Sequence, residues 1–94
     1  MIMTAYIALI RKDIDSDYGV DFPDFPGCVT AGRTVEEARR MASEALALHV
    51  EGMLGDGEPI PEPSTLEAVM ADPASRDAAA FPVEVPVRAR ARVG

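Results

Sequence analysis

Pro23 and Pro26 stand in the run Phe22-Pro-Asp-Phe-Pro-Gly-Cys28 and constrain everything around them. Each proline fixes φ and removes a backbone donor, so Phe22 to Gly27 cannot be the interior of a strand. The run must be a rigid turn between two elements. Gly27 and Gly32 bracket Cys28 to Ala31 and open backbone angles closed to other residues. Phe22 and Phe25 flank the turn and are placed to anchor it to a core. On its N-terminal side, Tyr18, Val20 and Phe22 alternate with Gly19 and Asp21, the period of a strand. On its C-terminal side, Cys28 to Ala31 reads as a second short strand. Thr34-Val-Glu-Glu37 then opens a helix, with Thr34 placed to cap the amide of Glu37 and Glu37 to reach back to Thr34.

The flanking segments complete the outline. Ala5 to Lys12 reads as a strand whose two faces are both largely apolar, which predicts a central position covered on both sides. Asp13 to Asp17 is a polar turn, and the three strands together form an antiparallel meander. In the helix, Val35, Ala38, Met41, Ala42, Ala45, Leu48, His49 and Gly52 recur at helical spacing and form the expected apolar face. Gly55 and Gly57 should end it near Leu54. Glu58 to Pro63 is a stiff proline-rich connector. Ser64 and Glu67 suggest a second capping box, opening a short helix over Thr65 to Ala71. Finally Phe81, Val83, Val85 and Val87 alternate with Pro82, Glu84, Pro86 and Arg88. Pro82 and Pro86 share parity, so both missing amides fall along one edge, and the segment is an edge strand. The fold class is therefore α+β: an antiparallel meander packed on one long helix, with a short second helix and a late edge strand.

Charge separates the function classes. Residues 1–87 hold all sixteen acidic residues and six basic ones, a net of −10, while Arg88, Arg90 and Arg92 follow with no acid. An acidic body is a poor partner for nucleic acid, whose phosphates need Lys and Arg, and a good one for a basic protein. The domain is expected to span 1–87, with 88–94 as a basic tail. No apolar run approaches the length of a membrane span and no signal peptide is evident. The single cysteine, Cys28, excludes an intrachain disulfide and fits a cytoplasmic protein with a buried structural thiol.

Three motifs imitate chemical sites. Asp13-Ile-Asp-Ser-Asp17 with Asp24 resembles a calcium loop, but Tyr18 replaces the required glycine and Asp24 the bidentate glutamate. His49, the only histidine, lies among apolar helical positions without a second ligand and is read as a partly buried core residue. Asp21 and Asp24 could pair for two-metal hydrolysis, but the prolines between them leave their relative geometry undefined. No catalytic residue, cofactor or metal is expected.

The ordered set Tyr18, Val20, Phe22-Pro-Asp-Phe-Pro-Gly-Cys28, Thr30, Gly32, Thr34, Glu36-Glu-Ala38, Glu44-Ala-Leu46 and Pro59-Ile-Pro-Glu-Pro63 resembles the signature of the HicB-type antitoxin family. The resemblance runs from about Ala5 to Pro63, nearly two-thirds of the chain. The resemblance implies a partial RNase H-like β-β-β-α-β fold without nuclease residues. It also implies binding to a HicA-type toxin, an mRNA-cleaving ribonuclease with an active-site histidine, and frequent homo-oligomerisation. Members usually add a C-terminal DNA-binding module that represses their operon. Nothing after Val87 reads as a complete one, so this chain is expected to bind toxin but not DNA. Asp21, Asp24 and Glu36 are the acids expected at the toxin interface. Phe22, Pro23, Pro26, Gly27, Cys28, Gly32, Thr34 and Glu37 are the expected structural motif. A stand-alone regulatory domain sensing another ligand or partner, and a degenerate nuclease, are the other readings.

Overall fold

The computed structural model describes residues 2–12 and 17–87. Most of the expected polar turn and calcium-loop-like run at 13–17, and the arginines at 88, 90 and 92, lie outside them. Strand β1 (Ile2–Lys12), β2 (Tyr18–Asp21) and β3 (Val29–Gly32) precede helix α1 (Val35–Gly55). A short helix α2 (Leu66–Ala71), one 3-10 turn (Pro73–Ser75) and strand β4 (Ala79–Val87) follow. The sheet is antiparallel with order β3-β2-β1-β4, so β1 is central and β4 is an edge strand.

One sheet face and α1 enclose the core. Tyr6, Ala8, Val20, Phe81, Val83 and Val85 point from the sheet toward Ala38, Ala42, Leu46 and Val50 of the helix. Complete burial of an aliphatic side chain of this size contributes about 1.5–3 kcal/mol. The buried helical face differs from the one expected from spacing. Leu46 and Val50 are core residues, while Leu48 is 68 % exposed and Val35 is 43 % exposed. The helix is apolar over more than half its circumference, and the i, i+4 row through Ala38, Ala42, Leu46 and Val50 is the one that meets the sheet. The second face of β1 is covered only in part: Leu9 is buried and Ile7 half-buried, but Met3 and Ala5 are exposed.

The proline turn folds as two successive tight turns, with Phe25 N–H donating to the Phe22 carbonyl and Cys28 N–H to the Phe25 carbonyl, both at 3.0 Å. Phe22, Phe25 and Cys28 are all buried. Burial pushes the Cys28 thiol pKa up, as expected of a structural cysteine. Gly27 has φ +91°, and a Cβ there would meet nothing within 4 Å. Gly27→Val is therefore expected to cost about 1–3 kcal/mol through backbone strain alone. An unchanged melting temperature would contradict this.

Gly32 serves a different need from the one its sequence context suggests. Its backbone is not left-handed, but a Cβ would lie 2.4 Å from the Ala38 nitrogen. Strand end and helix start can approach this closely only without a side chain. Thr34 caps α1 by accepting from Glu37 N–H at 3.0 Å. Glu37, however, accepts from Arg33 N–H at 2.7 Å, one residue earlier than a reciprocal box requires. At the other end Gly57, with φ +74°, closes the helix. Gly57 N–H donates to the Leu54 carbonyl and Glu58 N–H to that of Met53. The cap of α2 is also displaced: Thr65, not Ser64, accepts from Ala68 N–H.

Candidate protein-binding site

Ser64 is released from capping because Asp24 holds it. Ser64 N–H and Oγ–H donate to the two carboxylate oxygens of Asp24 at 2.9 and 2.6 Å. Tyr6 adds a second tie, its hydroxyl donating to the Pro61 carbonyl at 2.7 Å. Burial, with Asp24 and Glu62 nearby, pushes the Tyr6 pKa up and keeps the phenol neutral. Beneath these ties the Tyr6 and Phe25 rings meet edge to face at 4.7 Å, and Phe25 meets His49 at 5.7 Å. His49 is half-buried against an aromatic ring, as its place among apolar helical positions suggests.

Asp21 lies on the opposite side of the sheet from this cluster, paired with Arg11 at 2.6 Å. Arg11 is a hub that spacing did not reveal. It also donates to Asp77 at 3.2 Å and to the Ala74 carbonyl at 2.6 Å, tying the segment before β4 to the sheet. Partial burial works against its charge, but the bonds to Asp21 and Asp77 prevail and its pKa is raised. Only its alternation with Ile7 and Leu9 on the outward face of the central strand could have pointed to this role.

Of the three acids named from sequence, Asp21 and Asp24 are thus engaged within the chain, while Glu36 is exposed in the first turn of α1. The structure does not gather them into one cluster. Among the described residues no group of three or more His, Cys, Asp or Glu side chains is disposed to hold a metal ion. The exposed face of α1 carries Glu36, Arg40, Glu44 and Glu51, with Ala47 and Leu48 between the last two acids. The face is acidic on balance, with an exposed leucine, and is a surface rather than a pocket. An open cleft of about 330 Å³ has a different character. Arg11, Lys12 and Arg39 line it with Tyr18 and Phe81, and the Arg39 guanidinium sits 4.7 Å above the Phe81 ring. No helix among the described residues is long and apolar enough to cross a membrane.

Sheet order and a single long helix define a small α+β domain, and its sequence gives it an acidic body. The family model described as "HicB_like antitoxin of bacterial toxin-antitoxin system" matches residues 6–92, and the chain belongs to that family. An uncharacterised 14.9 kDa protein of Haemophilus phage HP1 is 40 % identical over 72 residues, 77 % of this chain. The chain spans about half of that relative, 53 % of its length. The crystal structure of the N-terminal domain of Burkholderia pseudomallei antitoxin HicB superposes with a TM-score of 0.77 at 30 % identity, over 89 % of this chain and all of that one. A chain of the "HicA3 and HicB3 toxin-antitoxin complex" superposes at 0.69 with 28 % identity, over 90 % of this chain and 99 % of that one. The four-stranded antiparallel sheet and long helix are those of HicB antitoxins.

Proposed function

We propose that this chain is the toxin-neutralising domain of a HicA-type toxin's antitoxin, acting by occlusion and without catalysis of its own. The observation that carries the reading is the family fold bearing a body of net charge −10 over residues 1–87, with Glu36, Glu44 and Glu51 exposed along α1 beside Arg40 and Leu48. A toxin that cleaves mRNA must present a basic groove to the phosphates. A rigid acidic surface competes for that groove without being cut, and a central apolar side chain such as Leu48 excludes water from the contact. Glu36 supplies a free carboxylate for this purpose. Asp21 and Asp24 add to the field from positions already oriented by Arg11 and Ser64.

The complex of HicA3 with HicB3 supports a toxin as the partner class. DNA is not the proposed partner, since phosphate binding scales with accessible Lys and Arg and the body is strongly acidic. Stopped-flow association with a HicA-type toxin should show the electrostatic part directly. Raising salt from 50 to 500 mM (on the order of a threefold shorter Debye length) is expected to slow association markedly and change dissociation little. Association that is indifferent to salt would remove the electrostatic basis of the reading.

A further inference from the structure

Strand β4 is an open sheet edge, and edges of this kind invite another strand. Its register with β1 pairs Ile7 with Pro82, Ala5 with Glu84 and Met3 with Pro86. Proline has no N–H to exchange, so the Ile7–Pro82 and Met3–Pro86 positions are non-hydrogen-bonded pairs. The amides of Phe81, Val83, Val85 and Val87 therefore face β1. The backbone groups of Ala80, Pro82, Glu84 and Pro86 face outward, away from the sheet.

We propose that Pro82, Glu84 and Pro86 form a guard that keeps β4 from joining the sheet of a second copy of this chain. An arriving strand would find two of the four outward donors missing, with a proline ring occupying the place of each hydrogen. The copy is the occupant to which the guard is matched. Two β4 strands meeting antiparallel about a two-fold axis at the centre of this trio place Glu84 opposite Glu84, like charges directly across a ladder. The prolines flank that point symmetrically, and in the same register Pro82 of one copy faces Pro86 of the other. All three side chains are exposed, so none of them is needed by the core. Without them the strand, with buried Phe81, Val83 and Val85 beneath it, has the composition that pairs readily. The guard concerns this edge alone and leaves association through other surfaces untouched.

The test compares the unaltered chain with Pro82→Val/Glu84→Thr/Pro86→Val, and with the single variants Pro82→Thr and Pro86→Thr in case the triple variant does not fold. Light scattering gives mass against concentration, and disulfide trapping through Glu84→Cys, with and without the two proline changes, reads the specific contact. Opening the edge should strengthen self-association by roughly a hundredfold or more, the scale of four restored backbone hydrogen bonds, two from each copy. Trapping should then occur between the two 84 positions only in the proline-free background. Folded variants whose mass is unchanged would overturn the proposal. So would efficient trapping of Glu84→Cys with both prolines in place.

Discussion

Gly32→Ala is expected to destabilise the domain by about 3 kcal/mol or more, an unusually large cost for one added methyl group. The new Cβ would lie 2.4 Å from the Ala38 nitrogen, 2.7 Å from its Cα and 2.9 Å from the Glu37 carbonyl carbon. All three are backbone atoms of the first turn of α1, so no side chain can swing aside. Relief requires the end of β3 and the start of α1 to separate. That movement would pull Ala38 and Ala42, both fully buried, away from the sheet and strain the Thr34 cap. Against a total stability of about 5–15 kcal/mol for a domain of this class, the loss is severe. Urea denaturation should show a much lower midpoint with an unchanged slope. A midpoint equal to that of the unaltered chain would contradict the close approach of strand and helix.

Phe25→Ala should cost a comparable amount, about 3–5 kcal/mol. Phe25 is 2 % exposed and fills the space between Tyr6, His49 and the proline turn, so its removal leaves a cavity bounded by two rings. The turn is too rigid to collapse into that space, because Pro23 and Pro26 fix its backbone and Asp24 holds it to Ser64. Phe25→Leu, which keeps most of the volume, should cost much less. If thermal and urea denaturation place Phe25→Ala within about 1 kcal/mol of the parent, the ring is not the anchor of the turn.

Local chemistry made much of the fold legible in the sequence. The prolines and Gly27 define the turn through φ and lost donors, Thr34 marks a helix start, and Pro82 with Pro86 marks an edge strand. Each acts through its own backbone or a neighbour a few residues away. Contacts that depend on chain folding were not legible. Leu46 and Leu48 offer equal hydrophobicity two positions apart, and only the direction from which the sheet arrives buries the first and exposes the second. Ser64 resembles a cap until Asp24, forty residues earlier, takes its hydroxyl. Gly32 reads as a flexible residue, whereas its requirement is space beside Ala38. The candidate interface is harder still to read. Which of Asp21, Asp24 and Glu36 touches a partner depends on that partner's shape, and the sequence records only that acids and apolar side chains share an exterior. The family signature implied the class of partner because its residues build the fold that this chain shares with HicB antitoxins.

The central claim is that this domain silences a HicA-type toxin by binding it. The most direct measurement is RNA cleavage by a HicA-type toxin, titrated with the folded chain. The account predicts that cleavage stops near one domain per toxin, and that the chain alone leaves RNA intact in magnesium or manganese. Undiminished cleavage at a large excess of folded chain would contradict it.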